Sequence, residues 1–289
     1  ETLSNRKQVI LFQNRRGYSP ILECMSCGHS PQCTQCDVSL TYHQTKNQLC
    51  CHYCGYNIPM PIQCHACGMT TLSTKGFGTQ QIEEQIKKLF PNTSVGRMDW
   101  DSTRGKWDFD KIIEAFDKER IQILVGTQMV VKGLDFKNVL LVGVINADHV
   151  LNIPDFRAHE RSYQMMCQVA GRAGRSDQKG KVLIQTFQPD HPTLKHVLEH
   201  NYEELYLTQK KERKNYHYPP YFKMIRITFK SRQYETVNMS SEWFSNVIKQ
   251  SYQGSILGPI FPAVSRVRNL FHKQLLIKVD HKLNSNEVK

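Results

Sequence analysis

A chain of 289 residues, 39% of them hydrophobic, has enough apolar material for about two domains. No uninterrupted apolar run approaches the ~20 residues that a membrane-spanning helix needs. Lys and Arg number 38 against 26 Asp and Glu, a formal charge of +12, which points to a polyanionic partner, most commonly nucleic acid. If eight cysteines held two zinc ions as thiolates, the balance would still be about +8. No signal peptide opens the chain: it starts at Glu1 and runs into a strand-like segment, as a piece cut from a larger protein would.

The first element, Gln8 to Phe12, reads as a buried strand and leads into Asn14-Arg15-Arg16-Gly17. The cysteines follow. Nine of the ten lie from Cys24 to Cys67, eight of them in the pairs Cys24/Cys27, Cys33/Cys36, Cys51/Cys54 and Cys64/Cys67. CxxC spacing lets one tight turn aim two sulfurs at one ion, and a zinc tetrahedron takes two such pairs. This pattern fits a reducing cytoplasm better than a secreted disulfide framework. Gly28, Gly55 and Gly68 directly follow three of the pairs, where a knuckle turn calls for left-handed backbone. Cys50 breaks the spacing and reads as a spare thiol, and Cys167 reads as a small core residue. With eight cysteines available, none of His29, His43, His52 and His65 is needed as a ligand. Spacing alone does not fix which pairs share an ion. A nested arrangement, Cys24/Cys27 with Cys64/Cys67 around Cys33/Cys36 with Cys51/Cys54, would make a compact insertion on a two-stranded stem. Metal there is expected to be structural, since so short and polar a segment cannot bury a sufficient core.

Helices and strands then alternate. Thr79 is placed to cap a helix whose face carries Ile82, Ile86, Leu89 and Phe90, stopped by Pro91; Asp108 is placed to cap the next, with Phe109, Ile112, Ile113 and Phe116 at helical spacing. Ile121 to Val125 and Val139 to Ile145 are short apolar runs of the buried parallel-strand type. A helix over 156–171 and a strand over 181–187 complete an α/β series. In such sheets ligands gather at the C-terminal strand ends, which draws attention to two polar segments, residues 126–136 and 168–175. The second, Gln168-Val169-Ala170-Gly171-Arg172-Ala173-Gly174-Arg175, carries two arginines three apart in a glycine-rich turn suited to gripping a phosphate.

Pro219 and Pro220 mark a boundary after a basic helix. Met224 to Lys230 alternates, with Ile225, Ile227 and Phe229 on one face. A helix containing Val237, Phe244, Val247 and Ile248 follows, then strands near 255–257, 263–268 and 274–280, together a small α+β domain. Arg266, Arg268, His272 and Lys273 make a basic hairpin near Phe271, readable either as a DNA-backbone contact or as a solvated turn.

The strings GTQMVVKGLDF and QVAGRAGR resemble motifs V and VI of superfamily 2 helicases. Taken with NRRGY, four CxxC pairs, GFGTQQIEEQI and RMDWDS in this order, they resemble the PriA family of bacterial replication-restart helicases over nearly the whole chain. The resemblance implies a RecA-like second helicase lobe, a parallel sheet with flanking helices. A two-zinc cysteine-rich insertion interrupts the lobe and a small α+β C-terminal domain follows it. The expected boundaries are 1–23 for the start of the lobe, 24–70 for the insertion, 71–210 for the remainder and 211–289 for the last domain.

The implied activity is ATP-dependent 3′-to-5′ unwinding of DNA at stalled or branched forks, leading to primosome assembly. Arg175 matches the arginine-finger position, Arg172 faces the triphosphate, and Gln168 organises that surface. Gly133 and Asp135 match the nucleotide-ribose position, and Thr127, Gln128, Gly78 and Thr79 match contacts to the DNA strand. Arg266 and Arg268 fall in a domain that in this family binds DNA. Implied partners are branched and single-stranded DNA, single-stranded DNA-binding protein, other primosome proteins and the replicative-helicase loading system, in a bacterial, nucleoid-associated cytoplasm. The sequence departs from the family in having no GxxxxGK[ST] phosphate loop and no acidic box for Mg2+. Gly174 to Lys181 has one residue too many, and Val182 stands where a hydroxyl is required. ATP hydrolysis would therefore need an upstream lobe, and the last elements of the C-terminal domain would lie past Lys289. The competing class is a non-catalytic zinc-dependent module that docks DNA or primosome proteins.

Overall fold

The computed structural model describes residues 1–13, 21–43, 46–75, 78–99, 102–103, 105, 107–131, 136–174 and 179–281. The chain opens with β1 (Gln8–Gln13), then five short strands: β2 (Ile21–Cys24), β3 (Thr41–His43), β4 (Gln48–Cys50), β5 (Asn57–Pro59) and β6 (Leu72–Lys75). Next come α1 (Thr79–Leu89), β7 (Val95–Met98), α2 (Asp108–Asp117), β8 (Ile123–Gly126) and α3 (Gln128–Val131). They are followed by β9 (Val139–Ile145), α4 (Asp148–Leu151), α5 (Ala158–Ala170), β10 (Lys181–Ile184), α6 (Pro192–Leu198) and α7 (Tyr202–Asn215). The chain closes with β11 (Phe222–Ser231), α8 (Tyr234–Ser251), β12 (Ser255–Ile260), β13 (Arg266–Val267) and β14 (Leu270–Asp280).

Two compact units emerge: Glu1–Tyr18 with Phe77–Gln209, and Ser19–Gly76 with Lys210–Lys289. The first unit is a parallel sheet in the order β10-β9-β1-β8-β7. β1 lies at its centre, which explains its unbroken apolar run: both faces of a central parallel strand are covered. Because side chains alternate along a strand, Ile10 and Phe12 join a core with Leu124, Val142, Phe116 and Met166. Val9 and Leu11 instead join Ile123, Val125, Ile82 and Ile86. Buried Gln8 ties the sheet to the end of α2, donating to the carbonyls of Phe116 (2.6 Å) and Ile121 (2.8 Å).

Differences from the sequence reading lie mainly at element ends. Strand β7 was not expected; it is short, lies at the sheet edge and carries Gly96 and Arg97, so no apolar run announces it. Neither expected cap forms. Gly78 and Trp107 occupy the N-cap positions of α1 and α2, and Thr79 and Asp108 are the first helical residues. Asp108 accepts instead from the Gly105 amide at 2.8 Å.

In the second unit, residues 21–75 form an antiparallel sheet in the order β5-β4-β3-β2-β6, the expected stem being the β2–β6 pair. Its core is small: Leu22, Leu40 and Leu49 with Cys33, Cys36 and Cys51. Residues 222–280 form a second antiparallel sheet, β11-β14-β12 with β13 on β14. Its core joins Leu275, Ile277 and Val279 to Ile227, Phe229, Phe244 and Ile248. Ile225, expected on that same face, is 39% exposed.

Candidate metal centres and nucleic-acid edge

The β2–β6 stem and the β3–β4 hairpin bring the cysteines into two quartets, Cys24/Cys27/Cys64/Cys67 and Cys33/Cys36/Cys51/Cys54. The nested pairing, open from spacing alone, is thereby the one the fold selects. Within each quartet all four sulfurs lie within 4.8 Å of one another. Cys24 and Cys67 are 3.6 Å apart, Cys27 and Cys64 3.7 Å, and Cys33 and Cys54 3.5 Å. Four sulfurs at ~2.3 Å from zinc form a tetrahedron with edges of about 3.8 Å, so both quartets fit the ion. Amides of Gln35, Tyr56 and Ala66 donate to Cys33, Cys54 and Cys64 Sγ, each at 3.4 Å, which favours the thiolate form. Gly28, Gly55 and Gly68 take φ values of 73°, 85° and 72°, the left-handed turns expected of them.

Without metal, the thiols share protons unequally. Burial pushes Cys33 up to about 12. Burial also opposes charge on Cys24, but the amides of Cys27 and Ser26 and the thiols of Cys67 and Cys27 outweigh it and lower Cys24 to about 6. Neither Cys50 nor Cys167 joins a quartet among the described residues. Cys50 is a strand residue opposite Thr41, and Cys167 packs on the lobe core. No histidine joins a quartet either; His43 and His52 instead meet each other, Nε2 to Nε2, at 3.2 Å.

In the first unit, residues 78–81, 97–99 and 126–129, described parts of the strings GFGTQQ, RMDWDS and GTQM, converge at the C-terminal ends of β7 and β8. Met98 and Gly126 are paired across these strands, and the Thr127 amide donates to the Met98 carbonyl at 3.2 Å. Asp99, fully buried, organises this end. It accepts from the Thr79 hydroxyl and from the Ser102 amide (2.9 Å), and Arg97 Nε lies 3.7 Å away. Thr79 is only 2% exposed and its hydroxyl holds Asp99 in place, which leaves its backbone at the start of α1 for any contact to a DNA strand. Thr127 and Gln128 are half-buried at the start of α3. Asp99 was not singled out from sequence; its one signal was its place in RMDWDS, since a lone Asp among polar neighbours looks solvated. Asp99→Ala should cost about 2–3 kcal/mol, because it strands the Thr79 hydroxyl and the Ser102 amide, while Arg97 keeps Glu83 at 3.5 Å. Urea unfolding of the chain would measure it, and a loss under 1 kcal/mol would refute this role.

The arginine turn lies at the other end of the sheet. Helix α5 follows β9 and runs back beside it, so Gly174 donates to Val139, the first residue of β9, at 3.0 Å. The two polar segments were expected together at the C-terminal edge; among the described residues 126–128 lie there, and 168–174 lie opposite. Gln168 is exposed on the last turn of α5 and Arg172 is half-buried just beyond it. A Cβ at Gly180 would collide with the backbone of Ala173 and Gly174, so the returning chain needs glycine there. Arg175, Gly133 and Asp135 lie outside the described residues, as do Arg15 and Arg16.

Three family descriptions match this chain in order. These are the PriA DNA helicase Cys-rich region domain over 33–59, the helicase conserved C-terminal domain over 71–177, and the primosomal protein N C-terminal domain over 214–289. Replication restart protein PriA of Bacillus subtilis is 40% identical over 280 residues, 96% of this chain. The Haemophilus influenzae protein of that name is also 40% identical over 280 residues, and that of Synechocystis 37% over 284. The chain belongs to the PriA family. It spans 35%, 38% and 34% of the lengths of these three relatives, about a third of a PriA protein. The Cys-rich match covers the inner quartet completely, and the helicase match covers both the Asp99 end and the arginine turn through Gly174.

Within the segment matching the primosomal C-terminal domain, the expected DNA-facing arginines have another occupation. Arg266 Nε donates to Asp37 Oδ1 at 3.0 Å, and its Nη1 to the Thr34 carbonyl at 3.2 Å. Arg268 Nε donates to the Tyr53 carbonyl at 3.1 Å. Burial raises the Asp37 carboxyl, but bonds from Ser265 and Arg266 outweigh that and bring it below its ordinary value. Lys273 is 6% exposed and bonded to Asn238 and Glu242. The basic hairpin thus grips the zinc insertion, which charge counting along the sequence could not foresee.

Proposed function

We propose that this chain supplies the second motor lobe, the zinc insertion and the C-terminal domain of an ATP-dependent 3′-to-5′ DNA helicase. In this reading the full protein acts at stalled or branched replication forks in the bacterial nucleoid and promotes primosome assembly. ATP and Mg2+ are held mainly by another lobe, and the arginine turn with Gln168, Arg172 and Arg175 completes the nucleotide site; Gly133 and Asp135 face the ribose. Thr127 and Gln128, with the first amides of α1 at Gly78 and Thr79, contact the single strand. Single-stranded DNA-binding protein, other primosome proteins and the replicative-helicase loading system are the proposed protein partners. The observation that carries the proposal is the placement of the two motif segments at opposite ends of one parallel sheet. One end can meet a triphosphate while the other meets the strand, so a lobe movement driven at the first is delivered to the second.

The absence of a phosphate loop in the 289 residues favours a second description for the chain by itself, a DNA- and primosome-docking module. The test is single-strand binding by fluorescence anisotropy across a salt series. The chain should bind with a negative salt slope. Thr127→Ala with Gln128→Ala should weaken binding about tenfold, roughly the loss of one to two hydrogen bonds. Unchanged affinity in the double variant would remove this edge from the strand path.

A further inference from the structure

The four zinc knuckles are not equivalent, and the exception points across the chain. In three of them the residue after the second cysteine is a left-handed glycine whose amide closes the turn. Gly28 donates to the Cys24 carbonyl at 2.8 Å, Gly55 to Cys51 at 2.9 Å and Gly68 to Cys64 at 2.8 Å. At Cys54, the second cysteine of the inner quartet's other knuckle, the sulfur also takes the amide two residues on, from Tyr56 at 3.4 Å. The fourth knuckle has Asp37 in place of glycine, and neither bond is made there. The Asp37 amide donates to the Arg266 carbonyl at 2.9 Å, and Val38 donates to the Cys36 carbonyl rather than to its sulfur. Cys36 Sγ takes its amide from Arg268, at 3.3 Å.

The donor is held in a strained turn. Arg268 and Asn269 both have left-handed backbone, φ 52° and 60°, at the tip between β13 and β14. An arginine in that conformation is disfavoured, yet it aims both tip amides at the knuckle. The Asn269 amide donates to the Gln35 carbonyl at 2.8 Å, beside the Arg268 bond to sulfur. Ser265 Oγ and Arg266 Nε take the two Asp37 carboxylate oxygens at 2.6 and 3.0 Å, and Val267 packs on the insertion's core.

We propose that the β13–β14 tip is the missing outer shell of the inner zinc site, so that inner-site metal retention and docking of the C-terminal domain on the insertion are one coupled equilibrium. The tip supplies the N–H that a thiolate needs, and the knuckle supplies the partners that keep the tip in its strained turn. Coupling of this kind is reciprocal: the factor by which the tip tightens zinc is the factor by which zinc tightens the tip. The proposal concerns this chain's own residues toward the metal and stands apart from the motor reading.

Two measurements on the whole chain test it. In the first, zinc release to a chromogenic chelator is followed for wild type and for Ser265→Ala with Arg266→Ala. Loss of an outer-shell partner typically lowers metal affinity about 10- to 100-fold. One of the two zinc ions should leave at least tenfold faster and the other at the wild-type rate, Cys24→Ser with Cys64→Ser identifying which phase is which. In the second, amide hydrogen exchange of residues 265–270 is compared between Cys33→Ser with Cys51→Ser and the outer-site double variant. Tip exchange should rise at least tenfold only when the inner quartet is broken. Equal acceleration of both zinc ions, or tip exchange indifferent to the inner quartet, would overturn the proposal. The second arm holds even if the Ser265/Arg266 variant loosens the C-terminal sheet.

Discussion

Replacing Cys33 and Cys51 with serine should lower bound zinc from two ions to one and unfold the β3–β4–β5 part of the insertion. The buried members of its core are Leu22, Leu40 and Leu49 with three cysteines of the inner quartet itself, and Val38, Tyr42, Tyr56, Ile58 and Met60 are only partly buried around them. Removing metal from such a site removes an apparent binding term of roughly 10–16 kcal/mol, which in small zinc modules is folding free energy. The three buried leucines, at about 2 kcal/mol each, with a partly buried fringe, cannot by themselves offset the entropy of ordering this segment once that contribution is gone. Cys24→Ser with Cys64→Ser should also leave one zinc, but loosen the β2–β6 stem instead. Neither variant should disturb the parallel sheet, whose core contains no residue of the insertion. Metal content by elemental analysis and exchange protection of β1, β8 and β9 would check both halves. Retention of two zinc ions after the inner double substitution, or collapse of the parallel sheet with it, would refute this account.

Legibility from sequence followed how local the governing physics is. A central parallel strand buries both faces, so 8–12 and 139–145 stood out as apolar runs, and the structure places strands there. CxxC spacing is a local property of one turn and picked out all eight cysteines of the two quartets, but the pairing depends on strand register and had to await the β2–β6 and β3–β4 pairs. What the sequence left unseen depends on contacts distant in the chain. Thr79 has the composition of a helix cap and is instead a partner of Asp99, twenty residues away. Asp108 likewise sits one residue inside its helix. Arg266 and Arg268 look like an exposed basic hairpin, because the carboxylate and sulfur that engage them lie about 230 residues earlier. The Gly-to-Asp change in the fourth knuckle was visible in the sequence, but only the other three knuckles in three dimensions show what it means.

Arg175→Ala, in a protein that carries the nucleotide-binding lobe, should lower kcat for DNA-stimulated ATP hydrolysis by about 10³-fold, the scale on which an arginine finger acts. The argument starts from the turn. Helix α5 ends at Ala170, Gly174 takes φ 73° and donates to Val139, and Gly180 passes close behind it. This fixes the backbone of Gly174 against the first residue of β9. A planar fork that matches phosphate oxygens in pairs cannot be replaced by an ammonium, so Arg175→Lys should remain severely impaired. Arg172→Ala should also lower kcat, with an added stability loss, since Arg172 is half-buried against the lobe. The KM for ATP should change far less than kcat in Arg175→Ala, because charge on the transferring phosphoryl group develops in the transition state. The chain by itself, without a phosphate loop, should hydrolyse no ATP above background. Robust hydrolysis by the isolated chain, abolished by Arg175→Ala, would overturn the two-lobe account and place the whole nucleotide site within these 289 residues.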